Sequence, residues 1–467
     1  MTISQEPVPS LSTSSSSIPI MSRDIMVLEK KPQITPTASS KSNETVELPV
    51  QLPQRLERFR AWSQVFVSFL LVVNGFGYFS SFGLFEGHWT TTLDESASSI
   101  SWVGSLSLFL LFFLGVLSGP LMDRDYFRSI LCIGCALQLL AVFATSAVSR
   151  YWQLILAQGL VQGLGNGMTF TPCVTLVAIW FTERRAFALS LAACGAPVGG
   201  LIFTAISRQL SETIGYPWTI RIMGFVVLFN SIIILILARP RRLGNGVKRS
   251  LVDIAAFKEP TYLLFSIGLF FILWGLYIAY FYTTTFGKEI IGISESDSLT
   301  LLMILNGAGV PGRIVPAYLA DRWFGTFSTL LPFSFGVGLT LVMWSQVHTK
   351  VGFYVFVVIY GVCANAVQTL FPSTLSQLTT DPSKMGQRVG MALAVGSLAC
   401  LTGPPLAGAL IGIGNGSYLY AQLFGGCSVI IGFLFLTAAR WSHLREEVFH
   451  VPNSDMFCRA QICATRT

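Results

Sequence analysis

The sequence predicts an all-α membrane protein with twelve membrane-crossing helices in two six-helix halves. Three observations carry this expectation: about twelve separate apolar stretches between Trp62 and Trp441, a shortage of charge, and motifs that recur in the two halves at one spacing. A hydrocarbon core about 30 Å thick takes roughly twenty helical residues to cross, and each stretch is near that length. Of the 467 residues 52% are hydrophobic, 13% aromatic and 11% charged, whereas soluble domains carry about a quarter charged residues. Backbone amides find no water inside a bilayer, so spans are helices or closed barrels, and continuous apolar runs without period-two alternation select helices.

Spans are expected at roughly 61–85, 99–119, 127–147, 152–180, 186–208, 219–239, 260–286, 298–320, 326–346, 352–375, 387–411 and 417–440. Residues 1–58 hold the run Ser14 to Ser17, scattered proline and no sustained apolar period, and are expected to form a disordered cytoplasmic tail. That segment has no early apolar core with a small-residue cleavage site, so the first span is expected to direct insertion; neither Thr2 nor the surroundings of Cys463 read as a lipid-attachment signal. The halves are expected at 59–239 and 259–440, with a cytoplasmic linker at 240–258 and a second cytoplasmic tail at 441–467.

Basic residues in short loops stay on the cytoplasmic side. Arg55, Arg58 and Arg60 precede the first span, and Arg124, Arg128, Arg184, Arg185, Arg239, Arg241, Arg242, Lys248, Arg249 and Lys258 follow even-numbered spans. The opposite loops offer little beyond Arg150, Arg208, Lys288 and Lys350. Both termini are therefore expected in the cytoplasm, with the plasma membrane as the expected location. The net charge of +7 follows from this bias; no basic face interleaved with aromatics points to nucleic acid. The expected partners are the bilayer and a small-molecule substrate.

Internal symmetry supports the division. Leu121-Met122-Asp123-Arg124 after the second span matches Leu319-Ala320-Asp321-Arg322 after the eighth, an offset of 198. Gly163 to Pro172 faces Gly361 to Pro372, and Ala196-Pro197 faces Pro404-Pro405 with Gly408. Parallel halves holding substrate between them are one architecture of secondary transporters.

With these motifs in hand the chain resembles the major facilitator superfamily, and within it the monocarboxylate porter family in its fungal form. The residues carrying the resemblance are Gly119-Pro120-Leu121-Met122-Asp123-Arg124-Asp125-Tyr126-Phe127-Arg128, Tyr151-Trp152-Gln153-Leu154 leading to Gly163-Leu164-Gly165-Asn166-Gly167, and Trp180-Phe181-Thr182-Glu183-Arg184-Arg185-Ala186 into Gly195, Gly199 and Gly200. In the second half they are Asn306-Gly307-Ala308-Gly309-Val310-Pro311-Gly312-Arg313 and Leu319-Ala320-Asp321-Arg322. The resemblance implies the major facilitator fold and alternating access. It departs before the first span: Arg55-Leu56-Glu57-Arg58-Phe59-Arg60-Ala61-Trp62 stands where such porters often carry an Asp-Gly-Gly type segment.

Arg313 is the leading candidate for a substrate contact, because a charge near the middle of a span persists mainly where it faces a partner or an aqueous cavity. A guanidinium holds a carboxylate through two parallel bonds, and Asn306, seven residues earlier, falls on nearly the same helix face. The alternative has Arg313 snorkelling to the cytoplasmic interface. Asn74, Gln158, Gln162, Asn166, Asn230, Asn365 and Gln368 bond either a substrate or a neighbouring helix. Trp274, Tyr277, Tyr280 and Tyr282 suit a flat or aromatic substrate, or an interfacial belt. Asp123 with Arg124 and Asp321 with Arg322 are candidate gates, bonding neighbouring helix ends in one state and releasing them in the other. The glycines stepping by four, Gly159, Gly163, Gly167 and Gly408, Gly412, Gly416, read as close-packing faces.

No Asp or Glu falls inside an expected span, which leaves Glu86 and His88 at the outer end of the first span as candidates for proton coupling. Cys132 and Cys135 have the spacing of half a zinc site but no second pair, so neither metal nor cofactor is expected. The sequons at Asn43 and Asn415 are poor glycosylation sites, one in the cytoplasmic tail and one in a very short outer loop. Three function classes are compared. A membrane enzyme finds no support, since His88, His348, His443 and His450 form no cluster; a receptor or scaffold remains the non-transporting alternative. The expectation is a secondary transporter of a small organic solute, a carboxylate or secondary metabolite, with efflux preferred over uptake of a monocarboxylate or vitamin.

Overall fold

Each expected apolar stretch is a helix in the computed structural model, which describes residues 54–81, 88–90, 92–121, 126–181, 184–239, 253–379 and 385–449. Among the described residues eleven helices are long and apolar enough to cross a bilayer: α1 (Arg55–Ser80), α2 (Ser98–Ser118), α3 (Phe127–Thr145), α5 (Arg185–Ile214), α6 (Tyr216–Leu237), α7 (Pro260–Glu289), α8 (Ser296–Phe324), α9 (Thr326–Gln346), α10 (Lys350–Gln377), α11 (Gln387–Ile413) and α12 (Leu419–Glu446). The remaining helix, α4, covers residues 151–180 through Tyr151–Leu154, Ile155–Val161 and Gln162–Trp180. Gln158, Gln162, Asn166 and four glycines dilute its apolar character. Among the described residues all regular structure is helical.

Two expected boundaries shift. The first helix begins at Gln54, inside the segment expected to be a disordered tail, and the last runs on to Phe449, past the expected end of the second half. Arg55, Arg58 and Phe59 at one end and Trp441, Arg445 and Glu446 at the other lengthen the helices with residues suited to a membrane interface.

The packing repeats. The first helix of each half touches the fifth and sixth, the fourth touches the second and third, and the third touches the sixth. Across the halves α2 packs on α11 and α5 on α8, so the second helix of each half meets the fifth of the other. In α1 and α7 72% and 67% of the most apolar window is buried, against 39% in α6. The outer face of α6 accordingly presents Phe225, Phe229, Ile232 and Ile236, one helix stripe of exposed apolar side chains.

Small residues set the closest approaches. A Cβ on Gly199 of α5 would lie 2.7 Å from the Cα of Gly77 in α1, and one on Gly165 of α4 would lie 2.8 Å from the backbone nitrogen of Gln138 in α3. Three of the described helices carry a π turn, Val73–Gly77 in α1, Ile155–Val161 in α4 and Ala320–Phe324 at the end of α8. Such turns are inserted residues, frequent at functional sites.

At the end of the bundle where α1 begins, called the near end, residues 240–252 of the expected linker lie outside the described residues. The rest of it forms the short helix Ile254–Lys258. Arg388 at the start of α11 fixes this segment, donating to both Glu259 carboxylate oxygens at 2.8 and 2.6 Å and lying 3.7 Å from Asp253.

Gly199→Ala is expected to push α1 from α5. Overpacking costs about 1–3 kcal/mol, so thermal unfolding of the purified protein should move to lower temperature. Gly412→Ala, where a Cβ meets nothing within 4 Å, should leave it unchanged or raise it.

Candidate functional site

A cavity lies between the halves, walled by α1, α2, α4 and α5 from the first and α7, α8 and α10 from the second. Most of the wall is apolar: Phe76, Phe112 and Phe170 form one aromatic side, with ring centroids 5.6 to 5.9 Å apart. Arg313 is the one charged side chain among the described lining residues; Tyr277, Gln368 and Thr369 stand beside it.

Arg313 is 5% exposed. Its Nε donates to Asn365 Oδ1 at 2.9 Å, Nη1 to Thr369 Oγ1 at 3.3 Å and Nη2 to Gln368 Oε1 at 3.2 Å. These three acceptors share one face of α10, so the arginine of α8 is held by uncharged groups of a neighbouring helix. The Tyr280 hydroxyl of α7 accepts in turn from Asn365 Nδ2 at 2.9 Å and Gln368 Nε2 at 3.2 Å. A guanidinium has five N–H donors, so two remain for a ligand. No carboxylate among the described residues pairs with it. Arg313 faces the cavity and does not snorkel to an interface, and Asn365 and Tyr280 join it.

The other sequence candidates separate from this centre. Asn306 uses its amide on the backbone carbonyl of Leu302, 3.0 Å away, and packs where a Cβ on Gly200 would meet its Oδ1 at 2.5 Å. It joins the α5–α8 contact rather than the cavity wall, because Asn306 sits two turns before Arg313 on α8, where the halves close together. Asn74 bonds within the first half, accepting from Asn230 Nδ2 at 2.8 Å and donating to Ser231 Oγ at 3.3 Å. Asn166 accepts from Gln138 Nε2 at 2.9 Å and Gln162 Nε2 at 3.2 Å, beside a smaller chamber that shares Val72, Phe76, Phe170 and Cys173 with the central cavity. Tyr282 and Trp274 are tied to α11 through Pro404 and Thr402 at 2.9 and 3.1 Å, and neither is among the described lining residues of the cavity. Sequence reasoning missed Gln138 and Thr369. Gln138 carried a usable signal as the only amide side chain in an otherwise apolar span.

At the near end the Asp321 carboxylate accepts from the backbone N–H of Phe187 at 2.8 Å and also from that of Ala186. It caps the first turn of α5, which belongs to the other half, where free N–H groups favour an anion. The Arg322 side chain makes no bond among the described residues. Gly115 and Gly390 come together nearby, where a Cβ on Gly390 would sit 3.3 Å from the Gly115 carbonyl. Asp123, Arg124, Glu86 and Asn43 lie outside the described residues. His88 stacks on Tyr216 with centroids 3.5 Å apart, at the far end and away from the central cavity. There the halves also meet through Ser98 to the Pro405 carbonyl at 3.3 Å and Arg208 to Ser296 at 3.1 Å. Asn415 occupies a left-handed turn, φ 51°, between α11 and α12. Cys132 is exposed and Cys135 buried on α3, and among the described residues no group of three His, Cys, Asp or Glu is placed to hold a metal.

Twelve long helices among the described residues, in two matching sets with a cavity between them and polar groups converging on it, define a multi-pass membrane transporter. Residues 67–404 match the Major Facilitator Superfamily, and the chain belongs to that family. It is 39% identical to an MFS-type transporter of Gibberella zeae over 83% of this chain and 88% of that one. It is 33% identical to the MFS-type transporter pynF of Aspergillus niger, over 83% and 92%. A third relative is the aspyridones efflux protein apdF of Emericella nidulans, 30% identical over 82% and 78%. The chain is thus a transporter of a small organic solute.

Asp321→Ala is expected to loosen the near end. A capping bond is worth about 1 kcal/mol, or about fivefold in the balance of two conformers. In a background retaining Cys173 alone, its modification by a small thiol reagent should quicken by about that factor; an unchanged rate would leave the contact without a part in closure.

Proposed function

We propose that the protein exports an anionic organic product of a biosynthetic pathway, as a member of the fungal monocarboxylate-porter-like branch. The observation that carries the anionic preference is Arg313, buried in the wall of the central cavity with no carboxylate partner and two N–H donors to spare. An unpaired buried cation is costly, and an anionic substrate supplies the missing charge through two parallel bonds. The apolar remainder of the wall suits the carbon skeleton.

The halves 59–239 and 259–440 rock about this site and expose it to either side in turn. The distribution of Lys and Arg supports cytoplasmic termini, and the near end then faces the cytoplasm. Export across the plasma membrane is supported by relatives bearing efflux in their names, such as the aspyridones efflux protein. Facilitated exchange is preferred to proton symport because the described cavity wall offers Arg313, Tyr277 and Cys173 as its ionisable groups and no carboxylate.

Deletion and overexpression of the gene in its native host, with intracellular and external metabolites compared at two external pH values, test the reading. An anion that accumulates inside on deletion supports export and identifies the cargo. An anion left in the medium reverses the direction, and uptake lost at high pH restores proton coupling. With the cargo in hand, Arg313→Gln should reach the membrane yet lose transport by about ten- to a hundredfold, the worth of a hydrogen bond to a charged group. Arg313→Lys, which keeps charge but not the planar fork, should fall between. Unchanged flux in Arg313→Gln removes the anion site.

A further inference from the structure

We infer that the substrate carries a second, neutral pole, a hydroxyl or an amide, and that the amide cluster of Gln138, Gln162 and Asn166 in the first half seats it. This rests on Arg313 holding the anionic pole. Gln138 is fully buried, and Gln162 and Asn166 are almost so. Gln138 Nε2 donates to Asn166 Oδ1 at 2.9 Å and Thr169 Oγ1 at 3.1 Å, and Gln162 Nε2 donates to Asn166 Oδ1 at 3.2 Å. The carbonyl oxygens of Gln138 and Gln162, and of Gln158 one turn earlier, have no partner among the described residues. Buried amide groups are ordinarily satisfied, and three orphans on two adjacent helices of one half are a concentration that calls for a ligand.

One edge of the cluster, at Asn166 and Thr169, borders the transport path. Asn166 and Thr169 line a small recess whose wall shares Phe76 and Phe170 with the central cavity. Gly75, in the π turn of α1, lets the recess reach Asn166, since a Cβ there would stand 3.3 Å from its Oδ1. The recess has room for about one water-sized group, such as a hydroxyl.

The chemistry sets what is recognised. Turning the three amides over together preserves their mutual bonds and exchanges orphan acceptors for orphan donors. A hydroxyl satisfies both arrangements, because it donates and accepts; a carboxylate does not, and the cluster has no cation to hold one. The substrate is therefore a polarised molecule, with an anionic end on α8, an apolar middle against the Phe76, Phe112 and Phe170 rings, and a hydroxyl or amide at the other end.

The probes are straight-chain acids of graded length, each beside the ω-hydroxy acid and the diol of equal length. Binding is read from thermal unfolding of the full-length protein in detergent, followed by tryptophan fluorescence. At a matching length the hydroxy acid should bind about tenfold more tightly than the plain acid, the worth of one or two neutral hydrogen bonds. Gln138→Met and Thr169→Val, made separately so that one survives if the other fails to fold, should each erase that difference. Paired acids that bind equally at every length, or a hydroxyl preference that persists in both variants, would overturn the inference. Arg313→Gln reports separately: it should remove the advantage of either acid over the diol. If it leaves that advantage intact while Gln138→Met still erases the hydroxyl preference, the anionic pole fails and the neutral pole stands.

Discussion

The burial of the Arg313 guanidinium without a counter-ion constrains the second half more than any other interaction. Moving an ion from water into a low-dielectric interior costs several kcal/mol even after relaxation, and a bilayer offers no water to soften it. The cost is offset by neutral acceptors converging from one side: Asn365, Gln368 and Thr369 on α10, steadied by Tyr280 of α7. Those positions recur at spacings of three and four, so the α8–α10 packing and the site geometry are one feature. Pro372, one turn past Gln368, has no N–H for the Gln368 carbonyl, which adds an acceptor near the cavity.

The two halves share a packing pattern but divide the chemistry. The offset that relates Arg322 to Arg124 relates Arg313 to Gly115, a glycine at the α2–α11 contact. The first half therefore has no charge opposite the arginine; it has amides, arranged along α4 at Gln158, Gln162 and Asn166 and joined by Gln138 of α3. The central cavity has a cation in its second-half wall and an apolar first-half wall, with Asn166 of the amide cluster lining the smaller recess beside it. A ligand touching both sides feels both halves, which lets its binding energy bear on their relative position.

Much of this was legible in the sequence. Arg313 stands out because an isolated charge in an apolar run has few other uses, and the repeated Asp-Arg motifs pointed to Asp321. Asn365 and Tyr280 were legible as polar groups in spans, though not as Arg313's neighbours, since which helices adjoin is fixed by packing. Asn306 shows the limit of periodicity: two turns from Arg313 it shares a face, yet the same face meets α5 at that level and the cavity lower down. Asn74 bonds Asn230 and Ser231 because α1 and α6 bury that side together. The π turns at Val73–Gly77 and Ile155–Val161 left no mark that composition or spacing reveals, and each alters which side chains face the chamber.

The near end separates contacts that travel with a half from contacts that must break. Arg388 with Glu259 and Asp253 joins the start of α11 to the start of α7, both in the second half, through a bidentate pair around an arginine that is 8% exposed. It stiffens that half without opposing its motion. Asp321 with the Phe187 N–H crosses between the halves, and its carboxylate is exposed to solvent. A capping bond of about 1 kcal/mol is close to thermal energy, so it tilts the balance between conformers without locking either. A transporter needs that ordering, with the strong charged pairs inside each moving body and the weak ones between them; reversed, the halves would deform before they parted.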